Sequence, residues 1–213
     1  MRIIASTRNF AARRHKPKSP QTMMSRTITP APTTFNSFDE YLKSTPSSPF
    51  VPSAPPVINL ALRMLLVDNN NNNDNNDIVH LDIGAGDFRV CISAISQFKV
   101  SRSIGIEIDE SLCSAVEKNE RELIESGKLK IYTSDFRDTL VDLLEIENIT
   151  HLSTYFVDEG LLHLKDTLNA IQRPTNLRLV TLGFPMLDCA NLIKLGESSL
   201  MGVDVFSYRY TIH

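Results

Sequence analysis

The sequence predicts an α/β protein built on a doubly wound, mostly parallel sheet that ends in an antiparallel hairpin. Three observations carry this reading. Short apolar runs alternate with segments of helical period from residue 78 to residue 184, the pattern of a parallel sheet with helices on both faces. The first of these runs, Ile78-Val79-His80-Leu81-Asp82-Ile83, ends in Gly84-Ala85-Gly86, as a buried strand does when it turns sharply into a helix. The alternation then gives way to two strand-like runs, 190–196 and 203–211, with only six residues between them. A parallel return needs a crossover of a dozen residues or more, so these two runs pair antiparallel.

Residues 1–45 are rich in Pro, Ser and Thr with little periodic apolar content, and the spacing predicts no packed structure there. Five prolines between Pro46 and Pro56 make an extended entry that reaches Pro55-Pro56, a favoured helix start. Val57, Leu60, Ala61, Met64 and Leu65 then repeat at helical spacing, and this helix is expected to pack on the sheet beside the glycine turn. Asp68 to Asp77 is seven asparagines and three aspartates, a solvated low-complexity loop inside a domain that spans 46–213. Beyond it the expected strands are 78–83, 103–108, 129–133, 149–157 and 177–184. The expected helices are 88–98, 110–126, with Leu112, Val116, Leu123 and Ile124 inward, 136–147 and 160–171.

Composition narrows the function classes. A chain of 213 residues with 42% hydrophobic and 22% charged residues is long enough for one sizeable core. It holds no apolar run long enough to span a bilayer. Cys91, Cys113 and Cys189 are odd in number and widely spaced, which fits buried thiols and neither a disulfide framework nor a metal site. The net charge of −3 conceals an asymmetry: residues 1–38 carry seven Lys or Arg and no acid, whereas the remainder is net acidic. An Arg-rich, acid-poor leader has the composition of a mitochondrial presequence. The acidic body, without a basic face interleaved with aromatics, argues against a nucleic-acid partner.

The chemistry concentrates at the carboxyl ends of the predicted strands. Gly84 and Gly86 permit positive φ and close approach of a ligand to backbone N–H groups, with Asp82 as an acceptor beside them. Glu107 ends the second strand twenty-three residues after Gly84, where an acid in a doubly wound fold meets a ribose. Asp109, by contrast, suits a helix cap. Asp135-Phe136 follows the third strand, an acid and an aromatic able to hold a base. Ala85 and Ile108 complete the predicted lining. Arg89 stands where a dinucleotide fingerprint needs its third glycine, which disfavours that class of ligand.

Asp82-Ile83-Gly84-Ala85-Gly86 resembles motif I of the seven-β-strand, S-adenosylmethionine (SAM)-dependent, class I methyltransferases, which have a Rossmann-like sheet of strand order 3-2-1-4-5-7-6. Pro49-Phe50-Val51-Pro52-Ser53, Gly105-Ile106-Glu107, Tyr155 to Leu164 and Gly183-Phe184-Pro185 are similar to the small mitochondrial protein-lysine N-methyltransferases that modify the ATP synthase c-subunit and the ADP/ATP carrier. The likeness covers about 49–210. It implies SAM as cofactor, no metal, a lysine side chain of an inner-membrane protein as acceptor, and peripheral contact with the membrane; Tyr155, at the carboxyl end of the fourth strand, is expected to meet the acceptor nitrogen, and the Asp158 charge to attract an incoming ammonium. Three departures stand out: the family's hydrophobic membrane-anchoring segment is not visible, and two residues differ. Asp158 replaces the family's proline, and Phe88 replaces a third glycine, setting a ring where it could crowd the methionine pocket. Small-molecule or RNA methyl transfer, and a SAM-binding module without activity, are the other classes the motifs allow.

Overall fold

A computed structural model of the chain describes residues 52–66, 78–171 and 177–211. The predicted leader 1–45, the prolines before residue 52 and the Asn-rich loop lie outside the described residues. Among the described residues thirteen elements follow in order: α1 (Pro55–Leu66), β1 (Val79–Ile83), α2 (Arg89–Ser96), β2 (Arg102–Glu107), α3 (Glu110–Asn119), α4 (Arg121–Glu125), β3 (Leu129–Thr133), α5 (Phe136–Ile146), β4 (His151–Thr154), α6 (Asp158–Ala170), β5 (Arg178–Leu182), β6 (Leu192–Leu200) and β7 (Val203–Tyr210).

The seven strands form one sheet of order β3-β2-β1-β4-β5-β7-β6. The first five are parallel, and β7 runs antiparallel to both β5 and β6. β1 sits in the middle, paired with β2 on one side and β4 on the other, and its side chains alternate between two cores. Leu81 and Ile83 join Ile104, Ile106, Leu152, Leu164 and Leu168 in the core under α5 and α6. The other core holds α1, α2 and the inner side of α3. Pro55 and Pro56 open α1 as expected, and its buried residues Val57, Ile58, Ala61, Leu62, Leu65 and Leu66 lie across β4, β5 and β7 and against α2. Burial of each large apolar side chain there contributes about 1.5–3 kcal/mol. All three cysteines are buried and free.

The boundaries differ from the predicted ones where local contacts override the apolar pattern. The helix expected over 110–126 breaks at Glu120 (φ −111°, ψ 32°) into α3 and α4, and Cys113, not Leu112, is the buried partner of Val116. β4 ends at Thr154 and β5 at Leu182, each short of its apolar run. The hairpin strand expected to stop at residue 196 continues to Leu200, through a bulge between Lys194 and Gly196. The turn is then only Met201-Gly202, both at positive φ (55° and 77°), the backbone of a type I′ hairpin turn that matches the twist of the strands.

Phe88 corrects an expectation. Its backbone is left-handed (φ 61°, ψ 15°) at the N-terminus of α2, and its ring is fully buried. A Cβ built at Gly105 would lie 2.2 Å from that ring and 2.9 Å from the Ala85 methyl. The ring therefore lies inward over β2, on the core side of the turn. Removing it in Phe88→Gly should cost about 3–5 kcal/mol of stability for the lost core ring, reduced by about 1 kcal/mol as the left-handed strain is relieved. Gly105→Ala should also destabilise, because the methyl meets the ring. Denaturant midpoints check both, and an unchanged midpoint for Phe88→Gly would mean that the ring is not a core element.

Candidate functional site

The ends of β1, β2, β3 and β4 meet along one edge of the sheet, and the glycine turn sits at its centre. Gly84 (φ 74°) and Gly86 (φ 56°) both need the left-handed region. The turn is bound to β2: Gly84 N–H and Ala85 N–H both donate to the Ile106 carbonyl, at 2.9 and 3.0 Å, and Gly86 N–H donates to Glu107 Oε2 at 2.8 Å. The other oxygen of Glu107 accepts from Ile108 N–H at 2.8 Å and from Asp109 N–H at 2.9 Å. Three N–H groups expected to face a ligand are thus already engaged. At the turn Gly84 is the exposed residue, while Ala85 and Gly86 are buried beside the acids.

Each predicted residue can be placed. Asp82 is 5% exposed, beneath the turn, and Glu107 adjoins Gly86. Ile108 is exposed beside it, and Asp109 caps α3 as expected, accepting from Ser111 and Leu112 N–H. Asp135 caps α5 through Arg137 N–H and is also paired with the Arg137 guanidinium, whose hydrogen bonds hold its carboxyl below the usual range. Phe136 packs against Phe156 with ring centroids 5.1 Å apart. Tyr155, 36% exposed, lies beyond β4 and not within it. Its ring would be 2.7 Å from a Cβ at Gly183. Asp158 opens α6; its side chain lies outside what is described.

Sequence reasoning missed three groups. The Phe156 ring covers the turn, 2.7 Å from a Cβ built at Gly84 and from another at Gly160; the signal was an aromatic close to two glycines in space, invisible along the chain. His80 and Ser153 form the buried support of Asp82. Ser153 Oγ donates to Asp82 Oδ1 at 2.5 Å, and His80 bonds Ser153 Oγ at 2.9 Å and Ser103 Oγ at 2.7 Å. The strand register that aligns Asp82 with Ser153 and His80 with Ser103 brings them together. Two polar residues at alternate positions of an otherwise apolar strand were the available clue.

With this geometry established, comparison with known proteins decides the architecture. No family model matches the sequence. An RNA methyltransferase of Salinibacter ruber, solved with S-adenosyl-L-homocysteine, aligns with TM-score 0.62 and 24% identity over 76% of this chain and 95% of that one. A geranyl diphosphate C-methyltransferase of Streptomyces coelicolor A3(2) aligns with TM-score 0.55 and 12% identity over 73% and 76%. This is the class I methyltransferase fold. In sequence, a protein-lysine N-methyltransferase of Saccharolobus islandicus (strain REY15A) is 31% identical over 117 residues, which cover 54% of this chain and 66% of that protein.

The electrostatics of the site follow from burial. Desolvation raises the Asp82 carboxyl from 3.8 to about 7, opposed by the Ser153 hydrogen bond and reinforced by Glu107 and Asp87. Desolvation and His151 lower His80 from 6.5 to about 3, so its ring is neutral. The signs oppose each other. Folded Asp82 holds a proton that the unfolded chain releases between about pH 4 and 7, so stability from this group increases as pH falls through that range. Folded His80 refuses a proton that the unfolded chain accepts below about pH 6.5, so stability is lost as pH falls further. Asp82→Asn removes only the first contribution. Chemical denaturation should show the variant losing stability more steeply than the native chain between about pH 7 and 4, and parallel curves would mean an ordinary acidity for Asp82.

Proposed function

We propose that the chain is a SAM-dependent N-methyltransferase that modifies a lysine side chain of a mitochondrial inner-membrane protein. The cofactor part is carried by one observation: Asp82, Glu107 and Asp135-Phe136 lie at the ends of three adjacent strands around a turn with glycine at positions 84 and 86. Their spacing suits one extended ligand, with a cationic end near Asp82, hydroxyls near Glu107 and a base near Phe136. The residues present fit that group. Phe88 does not obstruct it, because its ring is turned into the core. The lysine acceptor is supported by the identity to the S. islandicus protein-lysine N-methyltransferase, and the mitochondrial setting by the basic composition of residues 1–38. An RNA acceptor is the second reading, favoured by the likeness to the S. ruber RNA methyltransferase. The acidic balance after residue 38 opposes a polyanion.

When bound, SAM supplies a methyl group activated by its sulfonium. The protein's share is alignment and exclusion of water. Phe136 and Phe156 form an aromatic wall beside the turn, and Tyr155, at the mouth of β4 against Gly183, lines the path by which an acceptor nitrogen would arrive. The incoming amine has to be neutral, a form that makes up about one part in a thousand of free lysine near pH 7.4. Loss of water from the amine favours its neutral form, and Asp158, at the start of α6, helps to draw the ammonium in.

Two experiments test the reading. Calorimetry should detect SAM binding, weakened by about 1–3 kcal/mol in Glu107→Ala. Tyr155→Ala should leave that affinity nearly intact while lowering turnover on protein acceptors in a mitochondrial extract lacking this enzyme. Binding without transfer to any protein would discard the lysine acceptor. Separately, residues 1–38 fused to a fluorescent reporter should co-localise with mitochondria, and diffuse signal would discard the targeting role.

A further inference from the structure

We propose that Ser103, His80 and Ser153 form a hydrogen-bond relay running in one direction across β2, β1 and β4, which aims the Asp82 carboxylate at the glycine turn and makes His80 a positioning residue for the cationic end of the cofactor. The relay itself is read from the fold alone; its purpose rests on the SAM reading above.

The direction follows from counting protons. An ionised Asp82 only accepts, so Ser153 must give its single proton to Oδ1, 2.5 Å away. Ser153 Oγ can then only accept from His80 Nε2, 2.9 Å away, which fixes the proton of the neutral ring on Nε2. Nδ1 is left bare and accepts from Ser103 Oγ at 2.7 Å. All three bonds therefore point toward Asp82, an arrangement in which each polarises the next. His80, Ser103 and Ser153 are fully buried, so no water competes for these groups. The other groups bearing on Asp82 are Glu107 from β2, Asp87 from the turn and Cys91 from α2, while His151 from β4 bears on His80. None of the three groups bearing on Asp82 itself is a cation, so the relay is the favourable partner of the carboxylate.

Protonation of Oδ1 reverses every bond. Asp82 then donates to Ser153, Ser153 to Nε2, and Nδ1–H to Ser103. Each proton has then moved one place toward Asp82, that of Ser153 to Oδ1, that of Nε2 to Ser153 and that of Ser103 to Nδ1, and the one proton the chain gains replaces the one Ser103 gave up. A cation at Asp82 favours the ionised direction, so ligand affinity and the His80 tautomer titrate together.

The test uses the full chain with 15N-labelled histidine and no cofactor. Long-range 1H–15N spectra should show His80 as the Nε2–H tautomer at about pH 8.5 and as Nδ1–H at about pH 5.5, with a midpoint that coincides with titration of the Asp82 carboxyl carbon. A fixed tautomer through that titration, or an imidazolium at about pH 5.5, overturns the relay. Ser153→Ala should weaken SAM binding about tenfold near pH 7 and much less near pH 9, where Asp82 is ionised without help, and Ser153→Thr should restore it. An equal loss at both pH values assigns Ser153 a merely structural role and overturns the positioning claim. Absence of SAM binding to the native chain at either pH removes the proposed cofactor, yet the cofactor-free spectra still decide whether the relay exists.

Discussion

The carboxylate of Glu107 joins the two loops that any ligand at this sheet edge has to meet. One oxygen holds Gly86 in the β1–α2 turn and the other holds Ile108 and Asp109 in the β2–α3 turn. Hydrogen bonds from backbone N–H to an ionised oxygen are roughly twice as strong as neutral ones. Together with the two bonds from Gly84 and Ala85 to the Ile106 carbonyl, they fix a turn whose two glycines would otherwise be its most mobile residues. The site is therefore shaped before any ligand arrives, and little ordering entropy remains to be lost on binding.

That tie also explains how the turn accommodates a phenylalanine. Phe88 has to be left-handed to feed α2 in the right direction, a backbone that normally asks for glycine. The space it needs comes from Gly105 on β2, two residues before Glu107. Glycine is thus required on the strand instead of at the turn, and the exchange works because both positions face the same core. A substitution that looks damaging along the chain is compensated across the sheet.

Much of the fold was legible from the sequence because it rests on period. β3 begins and ends where the pattern places it, and the order of alternating strands and helices, with a final antiparallel pair, is as read. The two acids at Asp82 and Glu107 were legible because strand ends are marked by turns. What was not legible depends on contacts between distant segments. The apolar run through Tyr155-Phe156-Val157 reads as strand, yet Phe156 leaves the ladder to cover Gly84 and Gly160, and Tyr155 leaves it to cover Gly183. Those glycines are flat patches that attract rings, and nothing in the order of residues announces that they converge. The break at Glu120 has no glycine or proline to signal it, and the strand through Glu197-Ser198-Ser199 is too polar to declare itself.

The polar residues on the other face of β1 are the hardest to explain by folding alone. A central parallel strand, buried on both faces, is served best by apolar residues throughout. Here one face is Leu81 and Ile83, while the other is His80 and Asp82. Burying an imidazole, a carboxyl and two serines costs free energy even when each finds a partner, and an apolar set of equal volume would stabilise the sheet as well or better. The departure is also local. It begins at Ser103 and His80 in the body of the sheet and ends at Asp82, directly beneath the turn. A cost laid out in a line toward one atom is what a requirement on that atom produces, since rules of packing are broken where a site makes demands of its own. The expense of the buried chain and the placement of Asp82 are therefore one fact about this strand, and the carboxylate at its end is the reason for the other three residues.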